Sequence, residues 1–170
     1  MPDFDRARTF YGTLFGWEVE RGPEDLHGYA SCTKDGHVVA GIMPALDAGQ
    51  PSAWTTYLAT DDLDATLARA REAGGTMLTE PIDVGDRGRM ALVADPGGAV
   101  VGFWQGLSHT GFELANGPGS VTWNENMSRA WDQNKQFYNA VLGLEYDDLP
   151  GTGYATFKAD GNVAGGSPSC

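Results

Sequence analysis

The stretch FDRARTFYGTLFGWEV at residues 4–19 recurs in the same chain as WDQNKQFYNAVLGLEY at residues 131–146. A second stretch, GYASCTKDGHVVAG at residues 28–41, recurs as GYATFKADGNVAGG at residues 153–166. Both copies keep the two stretches in the same order, which indicates that one supersecondary unit is used more than once. This internal repeat decides the fold.

The first repeated stretch predicts a helix. Its apolar residues recur at helical spacing over residues 4–15, with Asp3 placed to cap the start and Gly16 to end the helix. The same reasoning predicts helices over residues 62–73 and 129–142.

Short runs of strand-forming residues surround these helices. Asp35-Gly36 lies between two alternating runs and predicts a hairpin. The segment 95–98, Asp-Pro-Gly-Gly, predicts a turn between two later strands. The polar segment 121–126 precedes the third helix and is predicted to be a strand. The repeated module is therefore β-α-β-β-β, and the predicted fold class is α+β, with curved mixed sheets around a cavity and helices outside.

Three such modules are predicted, and the first lacks its opening strand. Residues 1–106 are predicted to form one domain of two modules, and residues 107–119, rich in Gly, Asn and Pro, a linker. Residues 120–170 are then the first module of a second, incomplete domain. Because three modules cannot pair off within one chain and open sheet edges are costly, we expect either a homodimer or a fragment of a longer chain.

Composition restricts the classes of partner. The chain has 170 residues, 41% of them hydrophobic, and a formal net charge of −12. A surface this acidic repels nucleic acids and anionic membranes, whereas neutral or cationic small molecules remain possible ligands. The two cysteines, Cys32 and Cys170, do not form a disulfide framework pattern, and no secretory signal is evident. A cytoplasmic location is therefore expected.

Four segments together resemble the vicinal oxygen chelate superfamily, which holds glyoxalases, extradiol dioxygenases and bleomycin-resistance proteins. They are FYGTLFGW, its copy FYNAVLGL, DDLDATLARAREAGG at 61–75 and GRMALVADPGGAVVGFWQ at 88–105. The chain is most similar to two-domain bacterial members labelled hydroxylases. The resemblance implies that two glyoxalase-like modules pair and that their sheets surround one cavity.

The resemblance also shows where metal ligands would lie. Metal-using members take a His from the first strand of a module and a Glu from its last strand. Counting back from the helices places these positions at Thr55 and Gly102 in the second module, and at Thr122 or Trp123 in the third. None of these side chains is an imidazole or a carboxylate. We therefore expect no metal at the family position and no other cofactor.

Side-chain alternation along the strands identifies candidate binding residues. If Thr55 faces the cavity, so does Tyr57; if Gly102 does, so does Trp104, leaving an aromatic lining with a gap at Gly102. The aromatic rings could equally be there only to fill space. In the third module the candidates are Trp123 for binding and Glu125 as a catalytic acid or base, although Glu125 is equally well explained as a solvated charge on an edge strand.

Three function hypotheses follow. The first is a metal-free protein that binds a small aromatic or cationic molecule, in the manner of bleomycin-resistance members. The second is a lyase, isomerase or oxygenase-like enzyme of small-molecule metabolism on the same scaffold. The third is a module that serves assembly alone. Bound metal in a purified sample would separate the first two hypotheses.

Overall fold

The computed structural model describes residues 3–22, 27–45, 51–159 and 161–168. Within these residues the chain forms three helices, α1 (Phe4–Phe15), α2 (Leu63–Glu72) and α3 (Trp131–Leu142). It also forms twelve strands: β1 (Glu18–Arg21), β2 (Ala30–Lys34), β3 (His37–Ile42), β4 (Tyr57–Ala59), β5 (Thr76–Met77), β6 (Ile82–Asp83), β7 (Gly88–Ala94), β8 (Val100–Gly106), β9 (Asn124–Glu125), β10 (Glu145–Leu149), β11 (Tyr154–Ala159) and β12 (Asn162–Pro168). The predicted α+β fold class is confirmed.

Helix α1 has its predicted bounds, whereas α2 is one residue shorter at each end than predicted and α3 begins two residues later. Side-chain caps fix the starts of α1 and α2, while α3 has none. The Asp3 carboxylate accepts a hydrogen bond of 2.9 Å from the backbone N–H of Arg6, and Gly16 ends α1 at a φ of 72°. Asp62 caps α2 in the same way. These contacts satisfy backbone groups that a helix end leaves unpaired. Of the helices in the described part of the chain, none is long and apolar enough to cross a membrane.

The chain divides into two compact units. The first comprises Met1–Trp54 and Gly111–Thr122. Its sheet has the order β1-β2-β3, with antiparallel neighbours, and the predicted hairpin turns at Asp35 and Gly36, which both have positive φ. Its core consists of buried apolar residues from α1 and the three strands: Phe4, Val19, Ala30, Cys32, Val39 and Ile42.

The second unit comprises Thr55–Thr110 and Trp123–Cys170 and holds the second and third modules. Its two sheets have corresponding orders, β4-β8-β7-β5 and β9-β12-β11-β10, and in each the first strand pairs parallel with the last. A common core is formed by α2, α3 and the helix-facing sides of both sheets, and its largest fully buried residues are Leu63, Leu67, Val93, Phe103, Phe137 and Val141.

These units group the modules differently from the predicted domains, in which 1–106 holds the first and second modules. Part of the reason is a polar network that joins the second module to the third. Asp95 is only 4% exposed, and one of its carboxylate oxygens accepts hydrogen bonds from Asn126, Asn134 and Tyr138. Burial, and then the Asp95 charge, raise the pKa of the Tyr138 phenol. The domain boundaries at 106 and 120 stay a prediction.

Two strands are shorter than the sequence predicts, and one was not foreseen. The strand expected to carry both Thr55 and Tyr57 is reduced to β4, which begins at Tyr57, and the predicted strand over 121–126 is reduced to β9. The unforeseen strand, β6, pairs antiparallel with β7. Both shortened strands have a parallel partner on one side only, and their sequences carry few apolar side chains for a core.

Candidate functional site

The strands of the second module separate a core face from an outer face. Leu58 on β4 and Phe103 on β8 pack against the apolar core. Because side chains alternate along a strand, Tyr57 and Gly102 lie on the opposite face, where the two residues are paired in register. The Tyr57 side chain remains 43% exposed there.

Gly102 does not leave the gap that the sequence suggests, because the ring of Tyr57 fills it. A Cβ added at Gly102 would overlap three carbon atoms of that ring. Glycine is therefore required for the tyrosine to lie flat on the strand. Partial burial raises the pKa of the Tyr57 phenol above its ordinary value.

The third module places a tyrosine over a glycine in a related way. A Cβ at Gly166 on β12 would overlap the phenol end of Tyr154, which comes from β11. Gly102 and Gly166 both occupy last strands beside the first strand of their module. In both the second and the third module an aromatic ring thus covers the part of the last strand where, by the family resemblance, metal-using members carry a carboxylate.

Tyr154 joins two of the candidate residues into one cluster. The Trp123 indole Nε1–H donates to the Tyr154 hydroxyl over 3.2 Å, and that hydroxyl donates to Glu125 Oε1 over 2.9 Å. Burial and the hydrogen bond to Glu125 raise the pKa of Tyr154, while the bond from Trp123 acts in the opposite direction. The chain of bonds runs from indole to phenol to carboxylate, and we call these three residues the Trp-Tyr-Glu cluster.

A direct contact links the first strands of the two modules. The Thr56 hydroxyl donates to Asn124 Oδ1 over 3.2 Å. Tyr57 and Glu125 each follow one of these residues, and each lies six positions before the first residue of its helix. The second module therefore presents an aromatic ring at the position where the third presents a carboxylate. Thr55 and Trp123 precede the linked pair, and this equivalence favours Trp123 over Thr122 as the counterpart of Thr55.

Trp104 is explained by packing. Its Nε1–H donates to the backbone carbonyl of His109 over 2.8 Å, and its ring meets the His109 ring edge to face. A Cβ at Gly88 would lie 2.8 Å from the indole, which shows how closely β7 approaches it. The structure thus holds Trp104 in place between a neighbouring strand and the loop that follows β8.

The residues at the family's metal positions do not suit a divalent cation. Thr55, Trp123, Gly102 and Gly166 offer neither an imidazole nor a carboxylate, and Glu125 is already hydrogen-bonded to Tyr154. Residues 3–22, 27–45, 51–159 and 161–168 contain no group of three or more His, Cys, Asp or Glu side chains that could hold a metal ion. His37 is exposed and lies 4.0 Å from the Glu113 carboxylate.

Tyr154 is the residue that sequence reasoning missed. Its counterpart in the first copy of the repeat is Tyr29, whose ring a Cβ added at Gly41 would overlap. The signal was available in the repeat, since both copies begin with GYA and keep a glycine at the aligned positions 41 and 166. Only the strand register shows that the two residues are in contact.

Comparison with known proteins agrees with this architecture. Residues 1–103 match the family model described as Glyoxalase/Bleomycin resistance protein/Dioxygenase superfamily. The chain is 37% identical over 172 residues to the putative glyoxylase CFP32 of Mycobacterium bovis, covering 96% of this chain and 66% of that protein. It is also 37% identical over 158 residues to the anthracycline biosynthesis protein DnrV of Streptomyces peucetius, covering 84% of this chain and 58% of DnrV. The chain thus spans less than two thirds of the length of these relatives.

Solved structures share the fold at lower sequence identity. The Mn(II)-bound glyoxalase from Novosphingobium aromaticivorans matches with a TM-score of 0.66 at 21% identity, over 92% of this chain and 54% of that one. A variant of homoprotocatechuate 2,3-dioxygenase from B. fuscum matches with a TM-score of 0.66 at 16% identity, over 99% of this chain and 50% of that one. The resemblance drawn from the repeated segments is confirmed: the chain belongs to the glyoxalase/bleomycin resistance protein/dioxygenase superfamily.

Proposed function

We propose that this chain binds a small aromatic or cationic molecule on the outer face of its second unit, without a metal ion. The observation that carries this proposal is the Trp-Tyr-Glu cluster. It brings an indole, a phenol and a carboxylate together, and Tyr57 holds the corresponding position of the second module. Aromatic surfaces with a few fixed polar groups are typical of small-molecule sites.

The exposure of the rings supports binding over simple packing. Trp123 is 45% exposed and Tyr57 43% exposed, so neither indole nor phenol is fully used by the core. A flat ligand that covers these rings removes their apolar surface from water, which is favourable by about 25 cal/mol per Å². In this proposal Trp104 and Thr55 also line the binding site, and Gly102 makes room for the ring of Tyr57.

The metal-free part of the proposal rests on the donor set. The positions that would hold a metal carry threonine, tryptophan and glycine, none of which replaces a histidine or a glutamate. The net charge of −12 favours neutral or cationic ligands. One relative is named for anthracycline biosynthesis, which is a small-molecule process.

A thermal-shift screen tests the proposal. Small aromatic compounds, with and without a positive charge, are added to the protein in buffer that contains a chelator. Ligand binding to the folded state raises the melting temperature, and Trp123→Ala should abolish the rise. If chelation abolishes binding to the unmodified protein, the metal-free proposal is wrong.

Trp54→Ala provides a matched control. Trp54 is also exposed, and its indole also donates to a tyrosine hydroxyl, that of Tyr11, over 3.1 Å, but it belongs to the first unit. Binding should survive in this variant. Loss of binding in Trp54→Ala with retention in Trp123→Ala would contradict the proposed location.

A second candidate function is an enzyme, and the bond between Tyr154 and Glu125 favours it. A carboxylate that accepts a hydrogen bond from a phenol can take or return a proton during a reaction. The reaction class would be that of a lyase, an isomerase or an oxygenase-like enzyme. Compounds that bind in the screen are incubated with the protein and analysed by mass spectrometry; turnover that Glu125→Gln abolishes would favour this candidate.

A further inference from the structure

We propose that the molecule bound at the Trp-Tyr-Glu cluster carries a positively charged amine, which the Glu125 carboxylate accepts beside the rings of Trp123 and Tyr154. This inference rests on the proposed function and narrows its ligand class. It follows from which hydrogen-bonding groups of the cluster are already used and from the lack of an ion pair to Glu125 within the described part of the chain.

The cluster has no hydrogen-bond donor left for a ligand. An indole has one N–H, and that of Trp123 is donated to Tyr154. A phenol has one O–H, and that of Tyr154 is donated to Glu125. What faces outward is therefore the carboxylate of Glu125 and the two aromatic rings, all of which interact favourably with a donor or a cation. A carboxylate or phosphate ligand would meet repulsion and find no donor in these three residues.

Among the residues that the structure describes, no lysine or arginine, Arg129 included, forms an ion pair with Glu125. Among the described residues, the ion pairs of the third module are Lys135 with Asp148 and Lys158 with Asp147. Lys135 also lies over the Trp131 ring, 4.0 Å from its centroid. Both lysines are therefore engaged elsewhere, and Glu125 takes part in none of the ion pairs formed within the described residues.

The neighbouring module carries an aromatic residue at the position that corresponds to Glu125. The contact between Thr56 and Asn124 joins β4 to β9, and Tyr57 occupies in β4 the position that Glu125 occupies in β9. The rings that lie beside Glu125 are those of Trp123 and Tyr154. An ammonium group attached to a flat ring would use the Glu125 carboxylate for the charge and these two rings for the flat surface.

Three probes of similar size and different charge test this inference by titration, followed through the Trp123 indole signal in NMR spectra. The probes are 2-phenylethylammonium, 2-phenylethanol and phenylacetate. We expect the ammonium probe to bind at least about tenfold more tightly than the alcohol, as a charge-assisted hydrogen bond implies, and the anion to bind most weakly. Glu125→Gln should remove the preference for the cation, so that the ammonium and alcohol probes bind with similar affinity.

Glu145→Gln is the matched control, because Glu145 is an exposed glutamate of the same unit, on β10. It should retain the preference. Equal loss in both variants would show that overall charge attracts the probe and would overturn the inference. Equal binding of ammonium and alcohol probes at Trp123 would also overturn it while leaving the proposed binding function intact. Failure of every probe to bind at Trp123, whatever its charge, would overturn both.

Discussion

Replacement of Asp95 by alanine should strongly destabilise the second unit. One carboxylate oxygen of Asp95 accepts hydrogen bonds from the backbone N–H groups of Gly97 and Ala99, each at 2.9 Å. The other accepts from Asn126 at 3.1 Å, Asn134 at 2.9 Å and Tyr138 at 3.0 Å. The substitution removes all five acceptor contacts at once.

The expected cost follows from where the donors lie. Gly97 and Ala99 are exposed, so their N–H groups can bond to water after the substitution. Asn134 is 1% exposed and Tyr138 6% exposed, so the freed donor of each stays buried. A buried donor without a partner costs about 1–3 kcal/mol. We therefore expect the free energy of unfolding to fall by about 3–4 kcal/mol, a large part of the roughly 5–15 kcal/mol typical of a domain.

Urea unfolding followed by circular dichroism measures this change as a lower midpoint. Asp95→Asn keeps the side-chain volume and one acceptor oxygen, so it should fall between the alanine variant and the unmodified protein. Asp86→Ala is the surface control, since Asp86 is exposed, and should stay within about 0.5 kcal/mol. A loss below about 1 kcal/mol in Asp95→Ala would refute the argument that this network joins the two modules.

Three further predictions concern pH, backbone contact and assembly. Burial raises the pKa of Tyr146 to about 12 and that of Cys32 to about 11. Because the folded state favours the neutral forms, the stabilisation from these two groups is complete below about pH 9, and the unfolding midpoint should decline between about pH 9 and pH 12; Tyr146→Phe should flatten the upper part, and an unchanged profile would contradict the assignment. Gly166→Ala should displace Tyr154 and weaken ligand binding at least about tenfold, because the added Cβ overlaps the Tyr154 hydroxyl. The control variant Trp54→Ala should bind as the unmodified protein does, and undiminished binding in Gly166→Ala would be inconsistent with the site. Light scattering should give twice the chain mass of 18.1 kDa, and a stable monomer would rule out the expected dimer.

The helices and the module order could be predicted because their signals are local. Asp3 and Gly16 mark the two ends of α1, and the Asp35-Gly36 pair marks the hairpin between β2 and β3. The repeat then extended one module to the rest of the chain. Each of these predictions depends on spacing that the chain itself displays.

Contacts between distant residues were not predictable in the same way. Gly102 and Tyr57 are 45 positions apart, and only strand register shows that the ring fills the space above the glycine. Asp95 was interpreted as a turn residue, which is correct for its contacts with Gly97 and Ala99. Its three partners in the third module depend on tertiary packing, which no local pattern encodes.

A titration of the protein in chelator-containing buffer, followed by NMR through its five tryptophan indole N–H signals, shows whether a ligand reaches Trp123 without a metal. With 2-phenylethylammonium as the probe, we expect a saturable shift of the Trp123 signal. The signals of Trp17 and Trp54, which belong to the first unit, should stay unchanged. A Trp123 signal that does not move, or a shift confined to Trp17 or Trp54, would contradict a metal-free binding site at the Trp-Tyr-Glu cluster.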